Sequence, residues 1–312
     1  MTRRRIELAD PTFGAIYAPP GRGKTLALIR AFPDALFVSP KGGLTCASWL
    51  DWKPKELRAK GIRIIPEVVK KYADKFPAII FCDLSIEGDA EARRLRGEYS
   101  GWTVWDKYGE FFLEARDAAR EANCHVWWEF HESPPKLDNG EVVRPGTFSL
   151  AGYQAAEKIP GMLDVIAHVE YSTDHLGAAL WPYVLSTTPS DMFITKDRLS
   201  IFPRKFPMNL REPLLARGYE LPRPKALAWM EKVADATAER VEKAARAAEG
   251  LEDVDIKAVA KTVVDTVRDR NPRHVRWAVL DGVDRAWLRL QEATLLDTFL
   301  DLLGEENSDG SI

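Results

Sequence analysis

The segment Ala18-Pro-Pro-Gly-Arg-Gly-Lys-Thr25 constrains this chain more than any other part of it. It fits the pattern Ala/Gly-x4-Gly-Lys-Ser/Thr, follows the apolar run Gly14-Ala-Ile-Tyr17 and opens onto Leu26-Ala-Leu-Ile29. A strand, a glycine-rich loop and a helix in that order form a phosphate cradle. Gly21 and Gly23 let backbone N–H groups turn inward at the start of the helix, where the helix dipole adds positive potential. Lys24 is expected to reach the β/γ-phosphates of ATP, and the Thr25 hydroxyl to bind Mg²⁺. Ala18, Pro19, Pro20 and Arg22 complete the expected cradle. The bland alternative, a glycine-rich turn that binds nothing, does not require the flanking strand and helix.

With 312 residues, 29% of them charged and 46% hydrophobic, the chain has the composition of a soluble globular protein. It is long enough for one large domain with an appendage or for two modest ones. No apolar run approaches the length of a bilayer span, and the start, Met-Thr-Arg-Arg-Arg-Ile-Glu, lacks the apolar core of a signal peptide. Cys46, Cys82 and Cys124 form no close pair. That reads as reduced thiols, a cytoplasmic location and no zinc site. The net charge of −3 means that any nucleic-acid partner would be held by local basic patches or by an assembly that aligns them. Most of the ten tryptophans are expected in the core or at subunit contacts.

Beyond the loop, Ala35-Leu-Phe-Val38 reads as a strand, Gly61–Ile65 as a short strand and Pro66–Lys75 as a helix. Pro77–Asp83 reads as a buried strand ending in an acid, and residues 84–105 as a loop or a mobile helix. Lys107–Asn123 has helical spacing, and His125–His131 is the next strand. Residues 132–160 read as a long loop with a hairpin around Asp138-Asn-Gly140. Strands are expected again at Val165–Tyr171, Trp181–Ser186 and Met192–Thr195. From Lys225 onward the patterning is helical only, with helices at Ala226–Gly250 and Val254–Arg270. The expected architecture is α/β, with a mostly parallel central sheet over residues 1–222 and a helical C-terminal module with a frayed tail over 223–312.

A phosphate loop needs a second acid at the end of a neighbouring strand to hold Mg²⁺ through water, and Asp83 is placed for that. His131 ends the strand after it and can report the γ-phosphate to the following loop. Glu129 shares a strand face with His131; it reads as a buried catalytic acid or as the partner of a core arginine. Lys196-Asp197-Arg198 reads either as a charged turn or as the source of a cation, Arg198, that reaches a neighbouring subunit's phosphate.

Together these pieces resemble the RecA-fold P-loop ATPases, most closely the phage-encoded recombination and annealing ATPases of the Sak-four type. The resemblance rests on Ala18–Thr25, Ala78–Asp83, Trp128–Glu132, residues 160–169 and Thr195–Arg198, and covers about residues 10–215. It implies a RecA-like core, ATP and Mg²⁺ held at subunit interfaces, a ring or filament of identical subunits and single-stranded DNA as partner. A single-strand-binding or replication protein is a further implied partner, and the host cytoplasm the location if the chain is phage-encoded. The DNA-facing loops would follow Asp83, with Arg93, Arg94 and Arg96, and His131, with Lys136 and Arg144. In such relatives the strand after the loop helix ends in Asp-x-Glu, the Glu orienting the attacking water. Here the stretch is Ser39-Pro40-Lys41, so slow hydrolysis is expected, with Lys41 stabilising bound ATP or with Glu129, Glu132 or Glu67 as base. Two rival readings stay open: a motor or helicase-like ATPase of packaging or replication, and a nucleotide-gated assembly protein that does not bind DNA. A P-loop kinase is disfavoured because no lid-like arginine cluster stands out.

Overall fold

The computed structural model describes residues 11–47, 53–58, 61–170, 184–203, 205–248, 278, 281, 282 and 284–286. Its first half runs β1 (Phe13–Ala18), α1 (Lys24–Ala31), β2 (Leu36–Ser39), β3 (Lys55–Arg58), α2 (Ile65–Tyr72) and β4 (Ala78–Phe81). Then come α3 (Leu84–Glu98), α4 (Thr103–Glu121), β5 (His125–Ser133), a hairpin of β6 (Lys136–Asp138) and β7 (Glu141–Arg144), and β8 (Thr147–Phe148). α5 (Tyr153–Met162), β9 (Val165–Glu170), β10 (Val184–Ser186), β11 (Lys196–Asp197) and β12 (Lys205–Pro207) follow, and after them α6 (Arg211–Ala216) and α7 (Trp229–Ala248).

The sheet order β12-β10-β9-β1-β5-β4-β2-β3 puts the loop-bearing strand in the middle. Strands β9, β1, β5, β4, β2 and β3 are parallel, and β10, β11 and β12 add antiparallel pairs at one side. This is the α/β core with a mostly parallel central sheet expected from the sequence. Buried on both faces, the central strands are continuous apolar runs rather than alternating ones. One face carries Phe13, Ala15, Tyr17, Trp128 and Phe130 against α2–α5. The other packs Ile16, Ala18 and Trp127 against α1, α6 and the start of α7. The Trp127 ring occupies the place a side chain would take at Gly14, 2.8 Å from an ideal Cβ, so β1 needs a glycine there.

Several local expectations change. Gly61–Ile65 is not a strand: Gly61 has φ 82, and Ile62–Ile64 form a 3₁₀ turn leading into α2. The strand beside β2 is Lys55–Arg58, a mostly exposed edge strand whose charge hides it from any search for apolar runs. Met192–Thr195 makes only a bridge, Gly146 to Phe193, and the strand lies just beyond it at β11. Residues 84–98 of the segment 84–105 form an ordered helix, α3. The long loop 132–160 holds the expected hairpin, but also β8 and most of α5. Asn139 and Gly140 have φ of 49 and 85, the two positive values a tight hairpin turn requires. α5 contains Pro160, and its last carbonyls are satisfied by cations: Lys196 Nζ donates to Pro160 O at 3.0 Å and Arg120 to Met162 O at 2.8 Å.

Few residues of 223–312 beyond α7 are described, and Val254–Arg270 lies outside them. Asp281, Asp284 and Arg285 are tied to the core by buried ion pairs. Arg30 of α1 donates to Asp281 at 2.7 Å and Asp284 at 2.6 Å, and Arg285 makes two bonds to Glu212 at 2.9 Å. No helix among the described residues is long and apolar enough to cross a membrane.

Candidate nucleotide site

β1 delivers the loop at the C-terminal edge of the sheet. Gly21 and Gly23 have φ of 75 and 76, values that favour glycine, and a Cβ at Gly21 would meet open space. α1 starts at Lys24 with no side-chain cap and no acid in its first turn. Its free N–H groups and the positive end of its dipole are therefore uncompensated, the arrangement that receives an anion.

Beneath the loop lies a cluster that the β1–β5 register explains. Glu129 pairs with Ile16 and His131 with Ala18, so both acid and imidazole stand on the α1 side of the sheet. Both Glu129 carboxylate oxygens accept from the Thr25 hydroxyl, at 3.0 and 2.8 Å, and Lys24 Nζ is 4.0 Å away. Lys24 is buried. It donates to Ala18 O at 3.2 Å and Pro19 O at 3.1 Å. Burial lowers its pKa, against the pull of Glu129, Asp83 and Glu132. Burial pushes Glu129 up to about 7, with Asp83 adding to the rise and Lys24 and Thr25 opposing it. Glu129 is thus not paired with a core arginine; it faces the loop lysine and threonine.

Asp83 stands at the N-cap position of α3 in the left-handed region, φ 53, without a side-chain cap bond, and its Oδ1 is 3.5 Å from His131 Nε2. The Ser85 hydroxyl accepts from the His131 backbone N–H at 2.9 Å, joining α3 to the end of β5. Sequence reasoning missed Ser85. It also left Glu129 ambiguous, although the alternation Trp127, Glu129, His131 on one strand face marked it. The other possible bases stand apart. Glu132 Oε2 is engaged by His168 Nε2 at 2.9 Å, and Glu67 is exposed on α2. Lys41 is exposed in the turn after β2.

The sequence-predicted cations are spread out. Arg93 and Arg96 are exposed on α3, and Arg96 lies 5.1 Å over the Trp105 ring. Arg94 is held by Glu91 at 2.7 Å and by Glu98, and these partners raise its pKa. Lys136 and Arg144 face each other across the hairpin. Arg198 is exposed and donates to Gly161 O at 3.3 Å. β11, just before it, pairs with Val165 and Ile166 at the start of β9, the opposite edge of the sheet from the phosphate loop.

Chain topology and loop geometry together define a P-loop α/β fold. Neither a protein-family model nor a curated protein sequence matches the chain. Among solved structures, the RadB recombinase is similar at 14% identity and a TM-score of 0.35, over 57% of this chain and 80% of that one. A likeness so distant carries no weight for what this protein does.

The residues fit a magnesium nucleotide. The loop conformation, the uncapped helix and the convergence of Thr25, Glu129 and Asp83 supply amide donors for phosphate and oxygen ligands for a hard cation. Lys24 reaches back to two loop carbonyls that a triphosphate would compete with for its ammonium.

Proposed function

We propose that this protein is a RecA-type ATP-binding protein that hydrolyses ATP slowly, binds single-stranded DNA and supports recombination or annealing. The observation that carries the reading is the cluster of Lys24, Thr25 and Glu129 under a phosphate loop whose helix N-terminus is free of caps and acids. The amides of residues 21–25 and the Lys24 ammonium would hold the β/γ-phosphates. Thr25 and Glu129 would hold Mg²⁺, with Asp83 acting through water, and the ion would offset charge developing on the transferring phosphoryl group. His131, between Asp83 and the hairpin, links the phosphate end to the segment after β5.

The DNA part of the reading is supported by Arg93 and Arg96 on α3 and Lys136 on β6, exposed cations on the segments that follow Asp83 and His131. Arg198 would act only on a neighbouring subunit. Fluorescence anisotropy of a labelled oligo-dT strand, with and without ATP-Mg²⁺, tests the reading alongside steady-state hydrolysis. Salt-sensitive binding strengthened by ATP, with modest turnover, is the expected result. Sustained DNA-stimulated turnover would favour a motor, and ATP binding without any DNA binding an assembly protein.

A further inference from the structure

Two half-buried aromatic rings at the end of α2 hold three lysine ammonium groups. Lys71 Nζ lies 5.2 Å from the centre of the Tyr72 ring, and Lys75 Nζ lies 5.4 Å from it. The Phe76 ring is 6.1 Å from that of Tyr72, and Lys55 Nζ, from the first residue of β3, sits 5.1 Å over it. Both rings pack against the core, which fixes where the ammonium groups sit. The turn after the helix closes with the Lys75 backbone N–H donating to Tyr72 O at 2.9 Å, and this brings Lys75 back to the ring.

A ring attracts a cation without neutralising it. All three lysines are exposed, and among the described residues no carboxylate pairs with Lys71 or Lys75. Asp34 reaches Lys55 at 3.1 Å, but that lysine side chain is 58% exposed, and such a pair is weak in water. Asp74 is the acid of the turn itself and stands exposed. Complementing the α2 dipole accounts for the last-turn cations Lys70 and Lys71. It does not account for Lys75 or Lys55, which lie outside the helix. The patch stands where β3 and β4 begin, at the edge of the sheet opposite the phosphate loop. Arg63, just before α2, meets Glu91 of α3 at 3.3 Å, so the length of α2 separates the patch from α3.

We propose that this patch is a contact for a single strand of nucleic acid, separate from the phosphate loop and from α3. The ammonium groups take backbone phosphates, and cations interleaved with aromatic rings are the composition of sequence-tolerant single-strand sites. The patch shares the class of its ligand with the proposed function but none of its residues.

The test is fluorescence anisotropy of a labelled oligo-dT strand on the full nucleotide-free chain at several salt concentrations. One variant combines Lys55→Gln, Lys71→Gln and Lys75→Gln, and a second carries Arg at the same three positions. All three side chains are exposed, and circular dichroism checks that both variants fold. The triple glutamine variant should bind more weakly and flatten the log–log salt slope by up to about 2.1, at about 0.7 per phosphate contact. The triple arginine variant should keep the wild-type slope. Wild-type strand binding in the glutamine variant, with or without a loss of binding to vesicles of anionic lipid, overturns the proposal. Arg93→Gln with Arg96→Gln, measured beside it, separates the patch from α3. A slope that changes only in the lysine variant supports the patch and removes α3 from the proposed function; one that changes only in the arginine-deleted variant does the reverse. ATP titration of the same proteins reports separately on the phosphate loop, which the patch does not touch.

Discussion

In the proposed function, Glu129 is the residue on which the chemistry turns. It is buried at 3% exposure, both its oxygens lie within reach of the single Thr25 hydroxyl proton, and its carboxyl is pushed up to about 7 by burial. Glu129→Gln keeps the shape and removes the metal-facing charge. Turnover should fall by about 10²-fold or more, the scale of losing one electrostatic stabiliser of the transition state, and the Mg²⁺ titration should move to higher concentration. Asp83→Asn should shift the Mg²⁺ titration less, because Asp83 stands off at the head of α3. Steady-state hydrolysis at several Mg²⁺ concentrations separates them; equal effects would mean that Glu129 has no special place. From sequence, the cradle Ala18–Thr25 was fully readable because its spacing is local. The contact from Glu129 to Thr25 was not, because it depends on strand register between β1 and β5, which only the assembled sheet supplies.

At the scale of elements, α3 replaces an expected loop or mobile helix, and the change alters what its arginines can do. Its sequence, Leu84–Glu98, has no strong apolar stripe, yet Leu84, Ala92 and Leu95 are buried under the sheet. Arg94 points into ion pairs with Glu91 and Glu98, leaving Arg93 and Arg96 as the exposed cations. Removing Arg93 and Arg96 together should therefore flatten the salt dependence of single-strand binding by up to about 1.4 in log–log slope, at about 0.7 per phosphate contact. Arg94→Ala alone should leave the slope unchanged and cost helix stability instead. Anisotropy titrations at several salt concentrations read both effects, and an unchanged slope in the double variant would move the DNA path off α3. The same scale explains the misread strands. β3 is charged because it is an edge, and the apolar Met192–Ile194 turn packs Phe193 on Gly146 and on the His168 ring without joining the sheet ladder.

Across the whole molecule, stability depends on buried polar groups that the sequence pattern does not reveal. Arg30 of α1 reaches Asp281 and Asp284, about 250 residues away along the chain. No local rule predicts a pairing at that separation. His125, at the start of β5, accepts from the Thr12 backbone N–H at 3.0 Å through Nδ1, and burial lowers its pKa to about 4. The unfolded chain takes up this proton below the ordinary value of about 6.5, whereas the fold resists it down to about 4. Stability from this group is thus complete above pH 6.5 and is lost as the pH falls towards 4, by up to about 3 kcal/mol. His125→Asn keeps an acceptor for Thr12 and has nothing to protonate. Urea unfolding at pH 7 and pH 4.5 should show the wild-type protein losing more stability than the variant over that interval. The difference between the two cancels the other titrating groups, and parallel pH curves would mean that His125 is not held neutral.

One loop, one helix start and one buried acid meet at the C-terminal edge of the sheet, where the proposed function puts phosphate. The most direct test of that arrangement is isothermal titration of ATP into the wild-type protein and Lys24→Ala, each with and without Mg²⁺. Lys24 is buried on loop carbonyls, and burial disfavours its charge, so its removal should not unfold the protein. Saturable binding strengthened by Mg²⁺ is expected for the wild-type chain. In the variant, affinity should fall by about 100-fold, or about 2.7 kcal/mol, the scale of a lost charge-assisted contact to phosphate. Equal affinities in the two proteins, or no binding to a folded wild-type chain, would contradict the account.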